Sequence, residues 1–184
     1  KNVLFLAPEI AIASMLTKKT AQRFGTEHTA VWHSSISDSE KFDIRNKLKN
    51  NEIKILIGAR SAVFAPLKNI GLIVIDEEHE TSYKQTAPPP YYNACEVAEK
   101  LAEINGACVV KGSATPDVCS YFRAQKSGNL IELKERFNNV PLAPVAVVDM
   151  REEYSSKGQK RFSNYLIRKI EENLEAGKQT ILLM

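Results

Sequence analysis

Long apolar runs are missing from this 184-residue sequence. None approaches the ~20 residues that a membrane-spanning helix needs. Cysteine is scarce: Cys95, Cys108 and Cys119 are odd in number, widely spaced and form no C-x-x-C pair. Neither a disulfide framework nor a cysteine zinc site is therefore expected, and a reducing compartment is the default. Charge of one sign is also lacking, with 25 basic against 22 acidic residues and a net +3. Composition alone thus carries no nucleic-acid signature, which would need a clustered basic excess. Lys1-Asn2 leads into an apolar run too short and wrongly flanked for a signal peptide. What is present is ordinary globular composition, 43% hydrophobic and 26% charged. A chain of this length buries roughly 70% of its surface on folding. Its first residues read as a buried strand and its last as an apolar run without a terminator, so it reads as an internal piece of a longer protein.

Short apolar runs at residues 3–7, 29–32, 53–57, 72–75, 107–110 and 130–133 predict strands. Between them, residues 10–24, 37–49, 93–104 and 116–126 predict helices. Ser37 followed by Glu40 forms a capping-box pattern, and Pro116 suits a first helical turn. Unbroken strands alternating with helices predict a parallel α/β sheet covered on both faces. Residues 135–144 are polar with two prolines and read as a linker. A strand at 145–148, a helix at 162–174 and a strand at 180–183 then open a second α/β unit. Two domains are expected, 1–140 and 141–184. Trp32 and Cys108 are expected in the core, and His28 at the surface.

The strand at 72–75 runs into Asp76-Glu77-Glu78-His79. A buried strand ending in acids puts carboxylates at the sheet's carboxyl edge, where open α/β sheets bind ligands. There Asp76 can hold a magnesium ion through its waters, and Glu77 can orient a water attacking a phosphate. Charge alone reads equally well as a solvated acidic turn. About 35 residues on, the next strand ends in Gly112-Ser113-Ala114-Thr115-Pro116. Neighbouring strand ends would bring Ser113 and Thr115 within reach of the acids, although Ser-x-Thr-Pro is also an ordinary turn and cap. A metal hydrolase using residues 76–79 as ligands is excluded. No second histidine follows His79 by four, and four adjacent residues cannot converge on one ion from an extended chain.

Asp-Glu-x-His followed by Ser-Ala-Thr on successive strands resembles motifs II and III of the superfamily 2 helicases of the DExH type. Ala7-Pro8-Glu9-Ile10, His33-Ser34-Ser35, residues 58–66 from Gly58-Ala59-Arg60-Ser61, and Ser82-Tyr83-Lys84-Gln85 add to the match. In order and spacing they resemble the bacterial replication-restart helicases over essentially the whole chain. The resemblance implies a RecA-like fold of the phosphate-loop NTPase type, with residues 1–140 in the first motor lobe and 141–184 opening the second. It implies an ATP- and magnesium-dependent 3′–5′ DNA helicase acting at stalled forks, cytoplasmic, nucleoid-associated and monomeric. Forked and single-stranded DNA, other primosome proteins and single-stranded DNA-binding protein would be its partners. Zinc would belong to a cysteine-rich module elsewhere in the parent.

By the same resemblance, Asp76 coordinates magnesium, Glu77 activates the hydrolytic water, and His79 links the nucleotide site to Ser113 and Thr115. Pro8, Glu9, Arg60 and Ser61 fall in DNA-contacting loops, though Arg60 could equally pair with an acid. The loop carrying Tyr83, Lys84, Gln85, Tyr91 and Tyr92 would sense single-stranded DNA. Tyrosine rings can stack on bases, and any one of them can instead anchor the loop by packing beneath it. The sequence departs from the family at Asn93 and Cys95, where His and Arg are usual. It also holds no Gly-Lys-Ser or Gly-Lys-Thr; Gly177-Lys178-Gln179 is not one. The phosphate loop is expected upstream, so the chain alone is expected to be inactive. The alternative is a non-catalytic RecA-like module that binds DNA or protein.

Overall fold

The computed structural model describes residues 1–135, 137–151 and 161–183. Two compact units divide the chain, Lys1–Ile131 and Glu132–Met184.

The first unit is built on strands β1 (Asn2–Leu6), β2 (Thr29–Trp32), β3 (Ile55–Gly58), β4 (Ile70–Ile75) and a last strand at Cys108–Lys111. A two-stranded antiparallel ribbon, β5 (Lys84–Gln85) with β6 (Tyr92–Asn93), lies between, so the last strand is β7. Sheet order is β2-β3-β1-β4-β7, with every neighbouring pair parallel. Leu4 of β1 sits in register with Leu56 of β3 and Ile73 of β4. Alternation then sorts side chains by face. Leu4, Leu6, Leu56, Ile73 and Ile75 share one core, while Phe5, Val31 and Ile57 lie in the other.

Helix α1 (Ile10–Phe24) covers the second face through Ile12, Ala13 and Leu16. Helices α2 (Asp38–Lys49) and α3 (Ala94–Asn105) cover the first through Leu48 and through Ala94, Ala98 and Ala102. The i, i+4 alanines form one small-residue stripe, so α3 can lie close on the sheet. Each fully buried Leu or Ile contributes about 1.5–3 kcal/mol. Gly58 ends β3 where chains nearly touch: a Cβ there would lie 2.3 Å from the Trp32 carbonyl oxygen. The Ser37–Glu40 capping box forms as expected, and Trp32 is buried.

Three expectations change. Helix α4 spans Val118–Ser127 with Asp117 as its cap, so Pro116 lies outside it. The Asp117 carboxylate accepts from the Cys119 and Ser120 amides and starts the helix later than proline alone suggests. Cys108 is exposed, because on the edge strand β7 it points to the face opposite that of Val109, which packs on the core. Residues 130–133 form no strand, and Ile131 and Leu133 are exposed.

In the second unit, helix α5 (Asn164–Glu175) is capped by buried Ser163, whose hydroxyl accepts from the Leu166 amide. Residues 145–148 and 180–183 are not strands. Strand pairing needs a partner backbone for the N–H and C=O groups, and among the described residues none pairs with them. Arg136, in the stretch read as a linker, lies outside the described residues.

Candidate functional site

All five strands of the sheet run the same way, so their carboxyl ends share one edge. Pro8 and Glu9 follow β1, Arg60 and Ser61 open a 3₁₀ turn after β3, Asp76 and Glu77 follow β4, and Ser113 and Thr115 follow β7. Residues far apart in sequence therefore line one rim, where such sheets bind ligands.

At the centre, β4 and β7 are locked end to end. The Gly112 amide donates to the Ile75 carbonyl at 2.8 Å, and the Glu78 amide to the Gly112 carbonyl at 3.1 Å. This clasp brings His79 onto the Ser-Ala-Thr segment. His79 Nδ1 lies 2.6 Å from Ser113 Oγ, and Nε2 lies 3.3 Å from Thr115 Oγ1. The Thr115 amide closes the group by donating to Ser113 Oγ at 2.9 Å. Glu77 Oε2 approaches the same Nδ1, at 3.5 Å. Glu77 has φ +47°, a left-handed conformation that costs a non-glycine residue roughly 1–2 kcal/mol. A strained acid held beside a histidine fits a residue placed for chemistry rather than for stability.

Asp76 and Glu77 are hard oxygen donors on a partly open rim, a fit for a hydrated magnesium ion. Among the described residues, no three His, Cys, Asp or Glu side chains are grouped to hold a metal by themselves. Backbone amides and a lysine to cradle phosphates do not occur here as a Gly-Lys-Ser or Gly-Lys-Thr motif. The residues present therefore fit the magnesium and water end of a nucleotide, not its phosphate cradle.

The aromatic loop divides. Tyr83 is 1% exposed and belongs to the main core. Its hydroxyl donates to the Asp76 carbonyl at 2.7 Å, and burial, with nearby acids, pushes its phenol above the ordinary range. A ring so enclosed offers no face to a base, so stacking does not carry over to Tyr83. Gln85 Nε2 donates to the carbonyls of Pro88 and Pro90 and clasps the proline turn. Lys84 is exposed, Tyr91 is 71% exposed, and Tyr92 is half-buried. Tyr92 meets Phe64 edge to face with ring centroids 4.9 Å apart, and Phe64 is 58% exposed. Sequence reasoning did not single out Phe64; an aromatic two residues ahead of Pro66 on a motif loop was the available signal.

Among the described residues, Arg60 pairs with no acid. Its Nη1 donates to the Lys84 carbonyl at 2.9 Å and the Ser82 carbonyl at 3.3 Å, gripping the chain on both sides of Tyr83. The departures at 93 and 95 also have a use. The Asn93 side chain accepts from the Cys95 amide and caps α3. Cys95 is buried, which pushes its thiol up to about 11. His33 makes a backbone bond, accepting at Nδ1 from the Ser35 amide.

This rim can be compared with known proteins. Residues 1–122 match the DEAD/DEAH box helicase family. The chain belongs to that family. Its parallel sheet layered by helices is the RecA-like α/β fold that the helicase resemblance implies. Over its whole length it is 44% identical to replication restart protein PriA of Bacillus subtilis and 39% identical to that of Synechocystis. It spans 23% of each, about a quarter of the curated relatives it matches. Among solved structures, RecG bound to a three-way DNA junction aligns over 73% of this chain and 18% of that one, at 21% identity and TM-score 0.47. Among the described residues, no helix is long and apolar enough to cross a membrane.

Proposed function

We propose that this chain is part of the motor of an ATP-dependent 3′–5′ DNA helicase acting in replication restart. Residues 1–140 are its first RecA-like lobe and 141–184 the opening of the second. The observation that carries the reading is His79, within hydrogen-bonding distance of both Ser113 and Thr115 and beside Glu77. On this reading the acid that works on a nucleotide is joined through His79 to the Ser-Ala-Thr segment, which would couple hydrolysis to lobe movement. Similarity to the PriA proteins over the whole chain supports the biological setting.

Magnesium ATP, when bound, supplies the phosphoryl group whose hydrolysis drives movement. Asp76 would hold the hydrated ion through its carboxylate. Glu77 accepts a hydrogen bond from the attacking water and orients it. His79 ties that acid to Ser113 and Thr115, so their separation changes only if the clasp between β4 and β7 changes. Pro8, Glu9, Ser61, Lys84, Tyr91 and Tyr92 contribute to the DNA-facing rim. Forked and single-stranded DNA, other primosome proteins and single-stranded DNA-binding protein are the partners of the full-length protein. Its zinc belongs to a cysteine-rich module outside this chain, and its setting is the bacterial cytoplasm at the nucleoid.

The test is Glu77→Gln in the full-length helicase. ATP hydrolysis should vanish while ATP affinity stays nearly intact, because glutamine keeps the shape but cannot act as a base. An equal loss of affinity would make Glu77 a structural or metal-binding residue. The 184-residue chain alone should show no useful ATP turnover, having no phosphate-cradle motif to stabilise the transferring group. Turnover that rises with single-stranded DNA would overturn this.

A further inference from the structure

The carboxylate of Glu78, the residue between the acid and the histidine, has no part in the reading above. Glu78 is 9% exposed, and both its backbone and its carboxylate make long-range hydrogen bonds. Its amide donates to the Gly112 carbonyl at 3.1 Å. One carboxylate oxygen accepts from the Asp117 amide at 2.8 Å, and the other from the Ser120 hydroxyl at 2.9 Å. Gly112 immediately precedes the segment 113–116, and Asp117 immediately follows it. Both ends of the Ser-Ala-Thr segment are thus bonded to one residue. The neighbouring His79 meets that segment's two hydroxyls.

We propose that Glu78 is a positioning residue: its carboxylate clamps the start of α4 to the acidic turn and so holds Ser113 and Thr115 on His79. The chemistry suits the task. A buried carboxylate accepting an amide at a helix N-terminus is favoured by the helix dipole as well as by the bond itself. Its two oxygens take one donor each, so the side chain is fixed in rotation as well as in distance. The Asp117 carboxylate has a separate task, accepting the Cys119 and Ser120 amides at Oδ1. Clamped in this way, α4 and the segment 113–116 move as one piece with the acidic turn.

The inference rests on the proposed function only for its catalytic consequence, and the experiment separates the two. In the 184-residue chain, Glu78→Ala removes both acceptors, so neither the Asp117 amide nor the Ser120 hydroxyl keeps this partner. Amide exchange at Asp117 should rise about tenfold, the expected effect of losing a bond to a charged group. The nitrogen-15 resonances of the His79 ring should shift. Ser120→Ala, which leaves the carboxylate in place, should change both in the same direction by less. In the full-length helicase, Glu78→Ala should lower kcat several-fold and leave KM for ATP within about twofold, the pattern of a lost positioning contact. Unchanged exchange and unchanged His79 resonances in both variants would overturn the clamp. Altered resonances with unchanged kcat would overturn the positioning role. A wild-type full-length protein without ATPase activity would sink the proposed function, and the clamp would still stand or fall on the exchange and resonance data.

Discussion

Tyr83 donates a 2.7 Å hydrogen bond from its hydroxyl to the carbonyl oxygen of Asp76. The ring that a sequence reading sets out in the DNA-sensing loop is therefore a strut beneath the acidic turn. Arg60 holds the strut from outside by bonding the carbonyls on either side of it.

Removing the strut should be costly. Tyr83→Ala should lower stability by about 3–5 kcal/mol, as for other large aromatic truncations in a core. Thermal denaturation should show a melting temperature lower by roughly 10 °C. Tyr83→Phe keeps the packing and loses one hydrogen bond, so its loss should be about 1–2 kcal/mol. A melting temperature unchanged in Tyr83→Ala would return the ring to the surface and to base stacking.

Glu77 adopts a left-handed backbone that glycine enters without steric cost. Glu77→Gly should hold or raise stability, by up to about 1 kcal/mol, while abolishing hydrolysis in the full-length helicase. Equilibrium denaturation in urea checks the first half and an ATPase assay the second. A clear loss of stability would mean that the contact with His79 outweighs the backbone strain.

Arg60 makes its two bonds through one nitrogen to two carbonyls. Arg60→Ala should speed amide exchange in the 82–85 segment and weaken the Tyr83 strut without unfolding the sheet. Exchange measured by mass spectrometry on the 184-residue chain would report it. Uniform acceleration across β1 and β3 would instead indicate global destabilisation.

The three thiols should separate by reactivity. Cys108 and Cys119 are exposed and should alkylate readily in the native chain, whereas buried Cys95 should react only on unfolding. Burial holds the Cys95 thiol at about 11 against an ordinary 9.0. A raised folded-state value means that the unfolded chain releases this proton first. Its contribution is complete below pH 9.0 and is lost as pH rises towards about 11. Tyr83, shifted the same way, adds to the fall at the alkaline end. Cys95→Ala should flatten the stability curve in that window, and pH-dependent urea titrations would show whether it does.

The sequence by itself determined the layered parallel sheet and the identity of its rim. Strands such as 72–75 must be buried on both faces, and acids or hydroxyls at their ends must gather at the carboxyl edge, whatever the details of packing. The Ser37–Glu40 cap was legible for the same reason: it is satisfied within four residues. What needed tertiary structure were the choices that depend on a distant neighbour. Whether Tyr83 faces a base or the Asp76 carbonyl turns on how α3 and β4 close over it. Residues 145–148 and 180–183 are apolar enough for strands, yet a strand exists only when another backbone completes its hydrogen bonds. The double attachment of Glu78 was likewise invisible, since Gly112, Asp117 and Ser120 lie 34 to 42 positions away in sequence. Only the pairing of β4 with β7 brings them to one carboxylate.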